Sequence, residues 1–338
     1  MKARTFAALA VITVAALVIA IATYAAQNRW SQAKVSGAAL LPGLPAQASR
    51  IARIEIAQSG KALALARDKE SWSLADRGYP VKTEAVRALL IKLAQAELVE
   101  SKTRNKDRYA LLELEDPTAK DAKSRLLRVL DDKGGAIAEV IIGKKRFDAF
   151  GASKGGTYVR KPGDAQTWLS NAELEPSMSV RDWVQPGILN LEPAKIAKVT
   201  IEIPGEEPLV LARDEKDAKK YALVGMPEDK KLKEGAGLED IVRAAATLDL
   251  EDVRKAAATM AGADINVVRI EGDGGLGVTL RLRKEGEDYW LALEASGDGE
   301  AKKTAEEIAK RAQGWEFKIA PGKAQAILKR RADLFQAS

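Results

Sequence analysis

The chain contains neither cysteine nor histidine. Without thiols it has no disulfide, no thiol nucleophile, no iron–sulfur cluster, no thiolate zinc site and no lipid-bearing cysteine. That absence suits an oxidising compartment as well as a reducing one. Without imidazole it lacks the commonest general base, the usual partner of a nucleophilic serine and the commonest transition-metal ligand. Together the two absences close most catalytic routes. Aromatic residues are scarce at 5%, so stacking platforms of the kind that bind nucleic-acid bases are few.

What remains is globular in composition: 338 residues, 46% hydrophobic and 30% charged, enough for one large domain or two ordinary ones. The net charge of +6 has a local source. Lys2, Arg4, Arg29 and Lys34 lie in a stretch, residues 1–34, that contains no acid, which leaves only +2 on the rest of the chain. Elsewhere Lys and Arg alternate with Asp and Glu. A nucleic-acid partner is not expected from this distribution.

From Thr5 to Ala26 run 22 uncharged residues, nearly all Ala, Val, Ile or Leu. As a helix at about 1.5 Å per residue they reach about 30 Å, the depth of a bilayer's hydrocarbon core. Tyr24 and Trp30 stand where interfacial aromatics anchor a helix end. The expectation is a membrane anchor over residues 1–30. The competing reading is a cleaved signal peptide: a cut after Ala26 puts bulky Tyr24 at −3, whereas one after Ala25 puts Thr23 there. With the N-terminus inside, the ectodomain of a single-pass inner-membrane protein lies in a bacterial periplasm. Residues 31–50, small, polar and broken by Pro42 and Pro45, read as a linker.

Beyond the linker the sequence repeats. Ile51-Ala-Arg-Ile-Glu-Ile56 returns as Ile196-Ala-Lys-Val-Thr-Ile201, and Leu63-Ala-Leu-Ala-Arg-Asp68 returns as Leu209-Val-Leu-Ala-Arg-Asp214. Trp72-Ser-Leu74 is answered by Tyr221-Ala-Leu223. The alternation predicts a three-stranded meander in each copy, followed by a helix over Thr83–Leu98 and over Leu238–Leu248. A hairpin over Leu126–Gly143 matches one over Val278–Ala295, and Tyr158–Gln166, with Pro162, matches Phe317–Gln325, with Pro321. The expected fold is α+β: an N-terminal transmembrane helix, then two duplicated units of mostly antiparallel sheet with helices on one face, residues 51–190 and 191–338.

The succession of Leu-x-Leu-x-Arg-Asp, Trp-Ser-Leu, a helix, Glu115-Asp116-Pro117, Ile141-Ile142-Gly143, Tyr158-Val159-Arg160 and Val180-Arg181-Asp182-Trp183 resembles a bacterial family, domain-of-unknown-function family 4340. The resemblance covers most of residues 51–223. The family's usual Tyr-Gly-Leu is here Tyr109-Ala-Leu111. Members typically carry one N-terminal anchor and a repeated β-rich ectodomain, and some stand beside or are fused to ABC-type gliding-motility auxiliary components. The resemblance implies an envelope or transporter protein as partner, and brings no catalytic residues with it.

Chemical motifs have plain explanations. Gly272-Asp-Gly-Gly-Leu-Gly277 matches G-x-G-x-x-G, but a strand pattern follows it where a dinucleotide site needs a helix. Gly151-Ala-Ser-Lys-Gly155 matches a nucleophile elbow with no histidine to serve it. Ser31-Gln-Ala-Lys34 matches S-x-x-K without its companion motifs. The acids Glu113, Glu115, Asp116 and Asp121, and Asp214, Glu215 and Asp217, lie among Lys and Arg as a solvated surface does. Arg181, Asp182 and Trp183, between the two units, form the candidate partner-binding corner, against the plainer reading of a packed connector. The expected function is non-enzymatic, without cofactor or metal: a membrane-anchored periplasmic interaction or transporter-accessory ectodomain. The alternative is a carbohydrate- or peptidoglycan-binding, or carboxylate-dependent hydrolytic, envelope protein. A third reading is a cytoplasm-facing protein of inverted topology.

Overall fold

The computed structural model describes residues 37–151, 154–217, 220–256 and 260–336. The apolar segment read as a membrane anchor lies outside them. Among the described residues no helix is long and apolar enough to cross a membrane.

The fold is mixed α+β, built on large antiparallel sheets. The ten-stranded sheet runs in the order β1 (Ala38–Ala39), β6 (Glu97–Ser101), β10 (Thr167–Ser170), β9 (Gly156–Arg160), β8 (Ala136–Arg146), β7 (Arg125–Leu130), β2 (Arg53–Gln58), β3 (Lys61–Asp68), β4 (Ser71–Leu74) and β5 (Pro80–Val81). The eight-stranded sheet runs β14 (Tyr221–Leu223), β13 (Leu209–Arg213), β12 (Ile196–Glu202), β17 (Asn266–Gly272), β18 (Gly277–Glu285), β19 (Asp288–Ser296), β20 (Trp315–Ile319) and β16 (Asp252–Lys255). A separate pair joins β11 (Gly187–Asn190) to β15 (Thr247–Asp249). The helices are α1 (Thr83–Gln95), α2 (Val180–Trp183), α3 (Leu238–Ala246), α4 (Ala301–Ala312) and α5 (Pro321–Ile327). The described residues divide into two compact units, 37–70 with 83–178, and 71–82 with 179–336.

Local chemistry explains these elements. In β2 the alternation of Ile54 and Ile56 with Arg53 and Glu55 buries one face only, as a period of two requires. Ser59 and Gly60, both at positive φ, close the β2–β3 hairpin with the twist that two-residue turns favour. Helix α1 buries Val86, Leu89 and Leu93 at helical spacing. It stops at Gln95, short of the expected Leu98. Glu97 and Leu98 instead join β6, where Asn171 receives the Glu97 N–H at 2.9 Å. Helix α3 likewise ends at Ala246, because Thr247 and Leu248 pair with β11.

The two sheets share a connectivity. Read as β4-β3-β2-β7-β8-β9-β10-β6 and β14-β13-β12-β17-β18-β19-β20-β16, they correspond strand for strand in chain order. Registers agree as well: Ile54 faces Leu65 and Val129, as Val199 faces Leu211 and Ile270. The later pairings expected from the sequence are corrected by one strand. Hairpin β7–β8 corresponds to β17–β18, not to Val278–Ala295, and β20 corresponds to β10, not to the strand ending at Arg160. Helix α4 lies between β19 and β20, where the first sheet has only the short Lys161–Asp164 turn between β9 and β10. Pro162 sits in a Lys161–Asp164 turn ahead of Gly163 at positive φ, whereas Pro321 opens helix α5, so similar residues serve different geometry.

The stretch read as a linker is partly core. Leu40, Leu41 and Leu44 are buried, β1 pairs with β6, and Pro45 opens a short 3-10 helix over Pro45–Arg50.

Candidate functional site

The Arg181–Trp183 segment forms helix α2. Trp183 is 5% exposed, and its carbonyl accepts the Lys82 backbone N–H at 2.7 Å. It is held as core, so it is not the exposed aromatic anchor that a docking corner would present. Arg181 lies at the surface and pairs with Asp249 of β15 at 2.7 Å, both side chains about half exposed. Within the second unit this ties α2 to the β11–β15 ribbon. Arg181 and Asp182 are the parts of the motif open to solvent.

The carboxylates singled out in the sequence build turns. Asp116 accepts the backbone N–H of Thr118 at 2.9 Å and its hydroxyl at 2.8 Å, and these donors hold its carboxyl below the usual aspartate range. Glu115 accepts the backbone N–H groups of Lys123 and Ser124, Glu113 pairs with Lys123 at 3.9 Å, and Asp214 accepts those of Lys216 and Asp217. Among the described residues no group of three or more acids is placed to hold a metal ion.

Two clefts went unnoticed in the sequence. In the first unit a cavity of about 780 Å³ is lined by Glu97, Asn171, Glu173, Phe150, Lys154 and Gln95. Three of its polar groups are engaged: Asn171 donates to Glu97 at 2.9 Å, and Glu173 meets Lys145 at 3.5 Å, which also reaches Glu175 at 2.6 Å. The ammonium lowers the Glu175 pKa, and the carboxylates raise that of Lys145. In the second unit a cavity of about 500 Å³ lies between Glu192, Lys195, the Gly272–Gly274 turn and the start of α4 at Glu300. Gly274 and Gly275 adopt positive φ in a turn that leads straight into β18, as the strand pattern predicted. Asp273 is gripped by both guanidinium nitrogens of Arg213, at 2.6 and 3.0 Å, which holds its carboxyl down and raises the guanidinium. These bonds join residues 60 apart in sequence, so no local motif announced them.

A third assembly lies on the polar face of the second sheet. Arg254 stacks 3.9 Å over the Trp290 ring and forks to Glu285 and Glu316. The guanidinium lowers the Glu285 pKa. Glu316 is 6% exposed, a nearly buried charge that depends on this partner.

No curated protein and no solved structure matches the chain. A family pattern does, from Trp72 to Ile265, more than half of the chain's length, starting later and reaching further than the resemblance over residues 51–223. With its Trp-Ser-Leu strand, its Ile-Ile-Gly strand and its Val-Arg-Asp-Trp helix inside that span, the chain belongs to the family described as domain of unknown function DUF4340.

Proposed function

We propose that this is a membrane-tethered, non-catalytic binding protein whose two duplicated α+β units form a periplasmic ectodomain. The observation that carries the reading is the state of the carboxylates. Among the described residues, Asp116, Asp131, Glu175, Asp273, Glu285 and Asp333 are all pulled down. Each is fixed as an anion by a backbone donor, an Arg or a Lys. A carboxylate-dependent hydrolase needs the opposite, one acid kept protonated near neutral pH. The missing histidine and cysteine point the same way. The strand-for-strand correspondence of the two sheets supports duplication.

The family resemblance suggests a transporter or envelope protein as the partner, and the apolar segment Thr5–Ala26 supplies the means of staying near one. An alkaline phosphatase fusion after residue 50 tests the location, with activity expected. Purification of the full chain from detergent-solubilised membranes tests the partner, with a stoichiometric membrane protein expected. An inactive fusion, or a mature chain starting at Ala26 or Gln27, contradicts the anchored reading.

A further inference from the structure

The first unit exposes two large apolar side chains on segments rich in exposed positive charge. Among the described residues its Phe147 and Leu111 are the two most exposed large apolar side chains, at 75% and 66%. Both belong to segments seated on one small core of Tyr109, Leu114, Ile141, Tyr158 and Leu169, against which Leu112, Ala149 and Phe150 also pack. The Leu112 and Glu113 carbonyls approach Gly143 so closely that a Cβ there would overlap them. The end of the 3-10 helix Lys106–Leu112 therefore lies beside the strand that leads to Phe147.

The same segments carry Arg104, Lys106, Arg108, Lys144, Arg146 and Lys154, all exposed. Among the described residues the ion pairs of this region include those of Lys102, Lys123 and Lys145. Asp107 and Asp148 are the only acids in residues 104–111 and 144–154. The polar face of the second sheet is different, for there Lys198, Arg281 and Lys318 are each matched by an acid. A surplus of cations around protruding Phe and Leu is the chemistry that binds an anionic bilayer surface: apolar groups enter the headgroup layer while cations meet phosphate.

The chain's path adds proximity, and here the inference rests on the anchored reading. Ten residues, 27–36, separate Ala26 from Gly37, which already accepts a place in the first unit through its N–H to Glu97. At about 3.5 Å per residue they span at most roughly 35 Å. We propose that Phe147 and Leu111, with the six cations, dock the first unit onto the anionic phospholipid surface of the bilayer that holds the anchor.

The absence of cysteine provides the test. In the full chain, Phe147→Cys carries a nitroxide at one position, and the label is itself apolar. The chain is reconstituted into nanodiscs of phosphatidylcholine, with and without phosphatidylglycerol. On anionic discs, collisions of the label with oxygen are expected to rise and those with a water-soluble nickel chelate to fall. High salt and the Lys144→Glu, Arg146→Glu double variant are expected to abolish the change, since each cation at such a surface is worth roughly fivefold in affinity. A Val18→Cys label reports the anchor and is expected to be lipid-buried in both discs. If Val18 is buried while Phe147 stays equally open to the nickel chelate in both, the proposal is overturned and the anchor stands. Shielding of Phe147 that ignores lipid charge overturns it in favour of a protein contact. A water-exposed Val18 label overturns the anchored reading, and with it the proximity.

Discussion

The Lys82 backbone N–H donates to the Trp183 carbonyl at 2.7 Å, and later in the chain that of Lys233 donates to Leu334 at 2.8 Å. Each bond precedes a helix, α1 or α3, and each acceptor is a buried residue, 5% and 3% exposed. Trp183 and Leu334 thus do the same job ahead of the two helices. Trp183→Ala is expected to cost about 3–5 kcal/mol, as loss of a large buried aromatic does. Arg181→Ala, which breaks only a half-exposed pair, should cost about 0–1 kcal/mol. Urea unfolding of the two variants checks the contrast, and similar costs for both would remove Trp183 from the core.

Gly143 fixes the seat of the Lys106–Leu112 helix. A side chain there meets the Leu112 and Glu113 carbonyls, which are backbone and can yield only by moving the segment. Gly143→Ala is expected to raise amide hydrogen exchange across residues 106–114 while leaving β17 and β18 protected. Unchanged exchange in residues 106–114 would show that the segment is not held at Gly143.

The Arg213–Asp273 fork makes stability depend on acid. A carboxyl whose pKa is lower folded than unfolded adds stability that is complete above the unfolded value. That stability is lost as pH falls through the folded one. The window therefore begins near pH 4, the ordinary aspartate value, and extends below it. Asp273→Asn should lower stability at pH 7, leave it close to that of the wild type at the acid end of the window, and so flatten the fall between them. Melting temperatures between pH 2 and pH 7, spanning that aspartate range, provide the measurement.

Much of the architecture was legible because alternation and local similarity are written in adjacent residues. The strands around Ile54, Leu65, Val199 and Leu211 fall where the pattern put them. The later register was misread because two successive hairpins, β17–β18 and β18–β19, carry the same alternation, and because Pro162 and Pro321 lie in similar strings. Leu40, Leu41 and Leu44 were hidden by the prolines around them. Both clefts, the Arg213 grip on Asp273 and the Arg254–Trp290 stack depend on contacts between distant residues. Of the Arg181–Trp183 motif, the residue types were visible but not which side chain points inward.

Arg254 offers a test of the polar face. Its removal leaves Glu316 nearly buried without its partner. Because Arg254 itself is about a third exposed, Arg254→Ala is expected to cost roughly 1–3 kcal/mol, below the full cost of breaking a buried pair. Adding Glu316→Gln should recover part of that loss. A double variant no better than the single one would show that the Glu316 charge is not what Arg254 neutralises.

The central claim, binding without catalysis, is tested most directly by neutralising the acids of both clefts one at a time. Glu97→Gln, Glu173→Gln, Glu192→Gln, Asp273→Asn and Glu300→Gln are introduced into the full chain and scored in a cell in which the wild-type chain restores a deletion phenotype. A catalytic carboxylate loses orders of magnitude of rate when neutralised, whereas an interface spreads its energy over several anchors. The prediction is that no single neutralisation abolishes function while the protein remains folded and at normal abundance. One acid whose loss abolishes function in a folded, abundant chain would contradict the account and point to the carboxylate-dependent hydrolase instead.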